Sequence, residues 1–163
     1  MKKNADVYIY TDGACTGNPG PGGYGVIVIV EGRRTELSGG FRRTTNNRME
    51  LLAAIVGLGA LEAPSRVRLV TDSQYLFNGI TKGWARQWRA KGYKGKKNPD
   101  LWERLLALTE KHSVDFAWIE GHAGHPENER CDQLSVQAAH RRGLPADEIY
   151  EQSEAASKPL TLF

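Results

Sequence analysis

The sequence has no apolar run near the length of a membrane-spanning helix and only two cysteines, Cys15 and Cys131. A spanning helix needs roughly 20 apolar residues, so we expect no membrane partner. The N-terminal residues, MKKNADVYIY, lack the apolar stretch and cleavage site of a signal peptide, which favours a cytoplasmic protein. In that compartment the two cysteines are expected to stay free thiols, and by themselves they do not complete a four-ligand zinc site.

Acidic residues are missing from the whole segment between Asp72 and Asp100. Trp84, Trp88 and Tyr93 fall in this segment and are interleaved with basic residues. The basic residues are Lys82, Arg86, Arg89, Lys91, Lys94, Lys96 and Lys97. Because the net charge of the chain is only +3, this local concentration of positive charge indicates a nucleic-acid partner better than the total does. A solvated, charged helix explains the same run equally well.

Periodicity and turn residues predict the element order β-β-β-α-β-α-α-β-α. The predicted strands cover residues 6–12, 25–32, 35–42, 66–72 and 114–121. The predicted helices cover residues 46–61, 73–80, 100–112 and 126–142, and Asp100 is the expected N-cap of the third. Leading strands followed by alternating strands and helices predict an α/β protein with a mixed sheet flanked by helices. Residues 151–163 show no clear pattern.

Gly20, Gly22 and Gly25 match the G-x-G-x-x-G pattern of dinucleotide-binding loops. Such a loop must open a helix, because the pyrophosphate of the cofactor sits on the helix N-terminus. The residues after Gly25 are VIVIV, and a run of β-branched residues favours a strand instead. We therefore interpret the glycine run as a turn between two strands and expect no nucleotide cofactor.

Four carboxylates each have an ordinary explanation when taken alone. Asp12 and Asp72 follow a threonine at the end of a predicted strand, where the first suits a turn and the second a helix N-cap. Glu50 lies three residues after Asn47, which is the spacing of a capping box. Asp132 lies on the last predicted helix and there suits a solvent-facing position.

Taken together, the four carboxylates indicate a metal site. If the strands that end in Asp12 and Asp72 are neighbours in one sheet, both side chains emerge at the same edge, within reach of Glu50 and Asp132. A carboxylate cluster is costly unless cations compensate it. Oxygen ligands select hard ions such as Mg²⁺. Two such ions about 4 Å apart are the usual clamp for in-line displacement at phosphorus.

Five segments in a fixed order carry a resemblance to a known family. They are YTDGACTGNPGPGGYG, NNRMELLAAI, TDSQY, NPDLWERL and GHAGHPENERCDQLS. With them the chain resembles bacterial type 1 ribonuclease H, of the ribonuclease H-like superfamily, from about residue 6 to residue 143. The resemblance implies a five-stranded mixed sheet with the first strand central and helices on both faces.

The resemblance also implies the domain organisation. Residues 1–146 would form a single catalytic domain, with no hybrid-binding domain ahead of it. A basic handle is implied at about 82–98, a few residues shorter than in familiar bacterial members and with Tyr93 where a tryptophan is common. Residues 147–163 would form a partly mobile C-terminal tail, and the protein would be a monomer.

The implied activity is endonucleolytic hydrolysis of the RNA strand of RNA–DNA hybrids, which removes RNA primers and hybrids during replication and repair. The metal-binding carboxylates of the family fall on Asp12, Glu50, Asp72 and Asp132. Asp12 would bridge two Mg²⁺ ions, with Mn²⁺ as a substitute, one ion activating water and the other stabilising the leaving 3′ oxygen. The products would carry 3′-hydroxyl and 5′-phosphate ends. His122 matches the catalytic histidine, for proton transfer or product release.

The implied substrate contacts divide between the two strands of the hybrid. Recognition of the RNA strand through its 2′-hydroxyls falls on Gly13, Cys15, Asn18, Asn46, Asn47 and Gln74. A pocket for a DNA phosphate falls on Arg43, Thr45 and Asn98. Trp84 and Trp88 match the DNA-side handle of the family, although packing in the core explains both tryptophans equally well.

Two other functions remain open on the sequence. Another nuclease or an integrase of the same fold would share the acidic strand ends but would lack the NNRME and GHAGH elements together. A non-catalytic nucleic-acid-binding module would use the basic aromatic segment and would leave the four carboxylates unexplained. Cleavage of RNA only when it is paired to DNA would exclude the other nuclease or integrase. Loss of function on chelation of metal ions would exclude the binding module.

Overall fold

The computed structural model describes residues 5–157. The strands are β1 (Val7–Cys15), β2 (Gly20–Val30), β3 (Arg33–Thr44), β4 (Arg66–Thr71) and β5 (Ser113–Trp118). The helices are α1 (Asn46–Gly59), α2 (Gln74–Thr81), α3 (Trp84–Ala90), α4 (Pro99–Lys111), α5 (Pro126–Ala139) and α6 (Glu148–Ser157). Within residues 5–157, no helix combines the length and the apolar character needed to cross a membrane.

The five strands form one mixed sheet in the order β3-β2-β1-β4-β5. β1 pairs antiparallel with β2 and parallel with β4, and β4 pairs parallel with β5. The alternating apolar residues of β1 and the VIVIV run of β2 supply the β-branched side chains that favour strands. The central position of the first strand and the mixed α/β class are therefore confirmed.

Helices cover both faces of the sheet, as predicted. Successive strand residues point to opposite faces, and two neighbours on β2 show which helix lies on which side. A Cβ on Gly25 would meet the backbone of α5 at Cys131, whereas Val26 lies on the side of α1, against Gly57. The apolar core fills the α1 side, where Ile9 and Val26 are fully buried.

The glycine run does not form the predicted turn. β1 continues to Cys15 and β2 already begins at Gly20, so only residues 16–19 connect the two strands. Gly23 and Gly25 lie inside β2. These strand positions require glycine because a side chain at either one would strike the backbone of α5. A Cβ on Gly13 would likewise lie 2.6 Å from the backbone nitrogen of Glu50. These glycines set how closely α1 and α5 approach the central strands.

α1 begins two residues earlier than a capping box on Asn47 requires. Its N-cap is Thr45, whose side chain accepts a hydrogen bond from the backbone N–H of Arg48 at 3.2 Å. Glu50 then lies beyond the first turn and does not cap the helix. The capping-box explanation of Glu50 is therefore wrong, and its carboxylate needs another role.

α4 begins at Pro99, and the prediction of Asp100 as its N-cap is wrong. Asn98 precedes the helix in a left-handed conformation, with φ of 62°. Proline suits the first helical position because it has no N–H to satisfy there. The carboxylate of Asp100 instead accepts two hydrogen bonds from Arg48, at 2.9 and 2.8 Å.

Two helices are absent from the predicted element order. α3 forms within the basic segment, for which a solvated, charged helix is one of the two explanations given by the sequence. α6 spans Glu148–Ser157 and has no buried residue, so it lacks the apolar stripe by which a surface helix is recognised in a sequence. Residues 158–163 of the predicted tail lie outside the described residues.

A buried arginine joins the start of α1 to two other parts of the fold. Arg48 is 3% exposed and donates to both carboxylate oxygens of Asp100 and of Asp147. Thr44 donates a further hydrogen bond to Asp147 at 2.7 Å. Burial raises the pKa of Asp100, but the hydrogen bonds and the charge of Arg48, together with backbone hydrogen bonds, outweigh it and hold that pKa below its usual value.

We predict that Arg48→Met lowers the free energy of unfolding by about 3–5 kcal/mol, because it leaves two carboxylates buried without their cation. Urea denaturation measures this loss. The pKa of Asp100 is lowered in the folded protein. The charged carboxylate of Asp100 therefore stabilises the fold at pH values above its pKa in the unfolded chain, and this contribution is lost as the pH falls through its pKa in the folded protein. The wild-type protein should therefore approach the variant in stability in acid.

Arg68→Met is the matched control, because Arg68 pairs with Asp115 on the surface, with 43% and 59% of the side chains exposed. Exposed ion pairs contribute little to stability, so this loss should be much smaller. Equal losses in the two variants would show that the Arg48 cluster does not hold the fold together.

Candidate active site

The parallel pairing of β1 and β4 places two carboxylates side by side. Tyr10 of β1 pairs with Val70 of β4, so Asp12, inside β1, and Asp72, just past the end of β4, each stand two residues further along the chain. Parallel strands present their carboxyl ends at the same edge of a sheet. The prediction that the two Thr-Asp strands are neighbours is therefore confirmed.

Glu50 joins this pair from α1, which comes close because of Gly13. One carboxylate oxygen from each of Asp12, Glu50 and Asp72 lies within 4.8 Å of the others. Asp132 enters from α5 and lines the same cleft, but within the described residues it is not part of that close group. The structure thus brings three of the four predicted ligands together and places the fourth at the wall of the cleft.

The cleft above the carboxylates collects most of the residues singled out in the sequence. It is lined by Asp12, Gly13, Cys15, Asn46, Asn47, Glu50, Asp72, Gln74, His122 and Asp132, together with Ala14, Ser73, Tyr75 and Gly121. Asn18 lies next to it, because its side-chain oxygen accepts a hydrogen bond from the backbone N–H of Asn46 at 3.1 Å. Backbone, amide and carboxylate groups make this lining strongly polar.

Burial and mutual repulsion disfavour the charged forms of the clustered carboxylates. Burial, followed by the charge of Asp72, raises the pKa of Asp12 to about 8. Burial, followed by the charge of Asp12, raises the pKa of Glu50 well above its usual value. One oxygen of Glu50, Oε2, is buried without a hydrogen-bond partner among the described residues. The cluster therefore has more negative charge and more acceptor capacity than its protein surroundings satisfy.

These features fit a divalent cation. A cation would remove the repulsion, lower the pKa of both acids and give the unpaired oxygen of Glu50 a partner. The donor set consists of carboxylate oxygens alone, which is the chemistry that hard ions such as Mg²⁺ and Mn²⁺ prefer. A zinc site of the usual kind would need histidine or cysteine ligands, and the close group contains neither.

Two residues hold Asp72 in place and a third leaves room for it, and none of the three is among the predicted site residues. The indole N–H of Trp118 donates to the backbone oxygen of Asp72 at 3.0 Å, and the side-chain amide of Asn128 donates to its carboxylate at 3.4 Å. A Cβ on Gly121 would lie 2.6 Å from the same carboxylate, so a larger residue there would displace it. No periodicity or spacing marks these residues, because each acts through a contact between distant parts of the chain.

His122 lies on the connection between β5 and α5, is exposed, and lines the cleft. Its φ is 57°, in the left-handed region that non-glycine residues seldom adopt. Such conformations carry strain and concentrate at functional sites. His125, by contrast, stands at the N-cap position of α5 without a capping hydrogen bond from its side chain.

Arg43, Thr45 and Asn98 lie outside the cleft, around the start of α1. Thr45 caps that helix, and Asn98 accepts a hydrogen bond from Arg48 at 3.3 Å. Arg43 makes a two-bond fork with Glu154 of α6, at 2.8 Å for both bonds. Thr45 and Asn98 thus both contact Arg48, whereas the guanidinium of Arg43 is already hydrogen-bonded to a carboxylate of the same chain.

The two tryptophans of the basic segment differ in their surroundings. Trp88 packs edge-on against the fully buried Trp102, with ring centroids 5.6 Å apart. Trp84 is 39% exposed and carries the ammonium of Lys82 over its ring, at 5.0 Å from the centroid. Core packing thus accounts for part of Trp88, whereas Trp84 presents an accessible aromatic face beside a cation.

We predict that Asp12→Asn raises the free energy of unfolding in metal-free buffer, on the order of 1–3 kcal/mol, because it removes one charge from an uncompensated cluster. The raised pKa means that folding favours the protonated acid. Protonated Asp12 therefore stabilises the folded wild-type protein. This contribution is lost as the pH rises from the pKa of Asp12 in the unfolded chain towards about 8, its pKa in the folded protein. The advantage of the variant should therefore grow over this interval, as thermal unfolding at several pH values will measure.

Glu62→Gln removes an exposed carboxylate just beyond the far end of α1 and serves as the control. Its unfolding should follow the wild-type protein at every pH. A melting temperature of Asp12→Asn at or below the wild-type value would contradict the close packing of these charges.

The relatives of this chain in sequence are consistent over most of its length. A family model described as RNase H matches residues 4–140. The chain is 63% identical over 147 residues to a ribonuclease H of Desulforamulus reducens, covering 87% of this chain and 92% of the relative. It is 60% identical over 150 residues to a ribonuclease H of Rippkaea orientalis, covering 89% and 92% of the two chains.

Solved structures agree with the sequence relatives. The fold is similar to LC9-RNase H1, a type 1 RNase H with the type 2 active-site motif, with a TM-score of 0.74 and 33% identity over 97% of this chain and 83% of the other. It is also similar to LC11-RNase H1 in complex with an RNA/DNA hybrid, with a TM-score of 0.57 and 27% identity over 82% and 96% of the two chains. The chain therefore belongs to the ribonuclease H family.

Proposed function

We infer that this protein is an endonuclease that hydrolyses the RNA strand of an RNA–DNA hybrid and depends on divalent metal ions. The observation that carries this inference is the group of three carboxylate oxygens, from Asp12, Glu50 and Asp72, within 4.8 Å of one another. The group lies at the floor of an open polar cleft in a chain of the ribonuclease H family. The relatives are named ribonuclease H, and one similar structure is a complex with an RNA/DNA hybrid.

Mg²⁺ is the proposed ion, with Mn²⁺ as a substitute, and the cleft carboxylates would hold it. Asp12, Glu50 and Asp72 form the close group, and Asp132 would complete the set from α5. When bound, two such ions would supply a nucleophile from water and neutralise the charge on the leaving 3′ oxygen, giving 3′-hydroxyl and 5′-phosphate ends. The residues themselves supply the negative charge that attracts the ions and the geometry that fixes them.

His122 would move a proton at the open side of the cleft. An imidazole has one nitrogen that can accept a proton and one that can release it, which suits a group that moves a proton. Its exposure gives it access to water and to a leaving product. We therefore assign proton transfer or product release to His122 and a structural position to His125.

The RNA strand would be recognised by the short polar groups of the cleft. Asn18, Asn46, Asn47 and Gln74 carry amides that both donate to and accept from a 2′-hydroxyl, which is the group that distinguishes RNA from DNA. Gly13 and Cys15 would contribute mainly through their backbone. The glycine at position 13 matters here because a backbone without a side chain permits close approach.

The DNA strand would lie on the positive surface at the start of α1 and in the basic segment. Arg43, Thr45 and Asn98 would bind one backbone phosphate. Trp84, with Lys82 over its ring at 5.0 Å, would offer a stacking face beside a cation. Such contacts recognise the shape and charge of a backbone more than its sequence.

We predict that Asp12→Asn lowers the rate of hybrid cleavage by at least about a hundredfold, since metal-ion stabilisation of the transition state is worth several kcal/mol. Labelled RNA–DNA hybrid is incubated with each variant beside matched RNA and DNA duplexes, with Mg²⁺ and with EDTA. The wild-type chain should cut only the RNA of the hybrid and only with the metal. Glu62→Gln should cleave like the wild-type chain.

The same experiment separates the rival functions. Equal cleavage of duplex DNA would favour another nuclease or integrase of this fold. A chain whose function survives EDTA would be a nucleic-acid-binding module instead.

We predict that His122→Asn lowers the turnover number by about a hundredfold or more, the usual scale of general acid–base catalysis, while the fold keeps its stability. Asparagine tolerates the left-handed backbone of position 122, whereas alanine does not. His122→Ala should therefore lose turnover similarly and also lose about 1 kcal/mol of unfolding free energy. A turnover number of His122→Asn equal to that of the wild-type protein would contradict the assignment.

A further inference from the structure

α6 is attached to β3 by two arginine–glutamate forks. Arg42 donates two hydrogen bonds to Glu151 at 3.0 and 2.9 Å, and Arg43 donates two to Glu154 at 2.8 Å each. The planar guanidinium binds phosphate through the same pair of parallel bonds. Both arginines therefore have their phosphate-binding atoms occupied by carboxylates of the same chain.

A bulge explains why two consecutive strand residues reach one helix. Neighbours on a strand normally point to opposite faces. The pairing of β2 with β3 is irregular at this point, and Arg42 and Arg43 together stand opposite the single residue Pro21. A bulge of this kind re-aims a side chain. It brings the two guanidinium groups to one surface, which a regular strand would not do.

This surface lies close to the cleft along the chain. Asn46, which lines the cleft, follows Arg43 by three residues, and three residues span at most about 11 Å. Successive phosphates of a nucleic-acid strand rise by about 3.4 Å along the helix axis. A backbone bound in the cleft therefore has phosphates within reach of both arginines.

The contacts that attach α6 to the protein are weaker than those of Asp147, the residue just before the helix. No residue of α6 is buried, and Ile149 is 54% exposed. The side chains of Arg42 and Arg43 are 62% and 46% exposed, and exposed ion pairs contribute little. Asp147, in contrast, is buried and held by Arg48. Release of the helix would break the two forks and leave the hydrogen bonds between Asp147 and Arg48 in place.

The charge of α6 opposes the binding of a polyanion. The helix carries Glu148, Glu151 and Glu154 and no basic residue. In the attached position Glu151 and Glu154 neutralise Arg42 and Arg43, and the helix presents negative charge to an approaching backbone. A phosphate that binds Arg42 or Arg43 has to replace a glutamate.

We propose that Arg42 and Arg43 form a backbone-phosphate site, and that Glu151 and Glu154 occupy it until a hybrid binds. α6 is then an intramolecular competitor of the nucleic acid, and Arg42 adds a second cation to the phosphate pocket around Arg43. This inference rests on the proposed function, because the ligand is the hybrid that the cleft cleaves.

The test compares two variants that each remove one negative charge from α6. Glu154→Gln breaks a fork, whereas Glu148→Gln changes a residue that belongs to neither fork. The dissociation constant for a fluorescent RNA–DNA hybrid is measured by anisotropy in the Asp12→Asn background, so that the hybrid is not cut. Glu154→Gln should bind about three- to fivefold more tightly, the modest effect of an exposed ion pair, and Glu148→Gln should bind like its parent. Equal tightening in both would reduce the effect to net charge and overturn the proposal.

Amide hydrogen exchange provides a readout that does not depend on a substitution in α6. Residues 148–157 should exchange faster when the Asp12→Asn chain is bound to the hybrid than when it is free, because the helix leaves β3. Unchanged or slower exchange would overturn the displacement.

Cleavage by the chain without substitutions is assayed in parallel. Failure to cut the hybrid would overturn the proposed function. Normal cleavage with equal binding by the two glutamine variants would overturn only the competitor role of α6.

Discussion

The parallel register of β1 and β4 is the constraint on which the rest of the molecule depends. It holds Asp12 and Asp72 at the same level of the sheet, and strand pairing prevents them from moving apart to relieve their repulsion. The core beneath them, with Ile9 fully buried, keeps the strands in that register. Glu50 is added through the gap that Gly13 leaves. The backbone thus holds the carboxylates of the cleft closer together than their repulsion favours. A bound cation would compensate this repulsion.

α1 carries two charge clusters that differ in how completely their polar atoms are hydrogen-bonded. Arg48 is surrounded by two carboxylates and is fully hydrogen-bonded within the protein. Glu50, two residues later, is surrounded by carboxylates and has a buried oxygen without a partner among the described residues. The first cluster is complete, so it stabilises the fold. The second is incomplete, so it is suited to a ligand. One helical turn therefore carries both the anchor of the site and part of its chemistry.

Much of the fold and of the site could be predicted from local patterns. The repeated Thr-Asp strand ends indicated Asp12 and Asp72, and the β-branched run after Gly25 indicated a strand. What the sequence did not reveal depends on contacts between distant segments. Asp100 is drawn from its expected cap position by Arg48, fifty-two residues away. Trp118, Asn128 and Gly121 act on Asp72 from β5 and from around the start of α5, which no local pattern records. α6 was missed because it buries no residue and so has no apolar stripe.

The bulge on β3 has a consequence for solubility. β3 is an edge strand, and an edge offers unpaired backbone groups to other chains. At the bulge, the N–H of Arg42 donates to the backbone oxygen of Pro145 at 2.9 Å, so the segment ahead of Asp147 covers the edge there. This cover comes from the anchored segment and not from α6. If the helix left β3, this part of the edge would therefore remain covered.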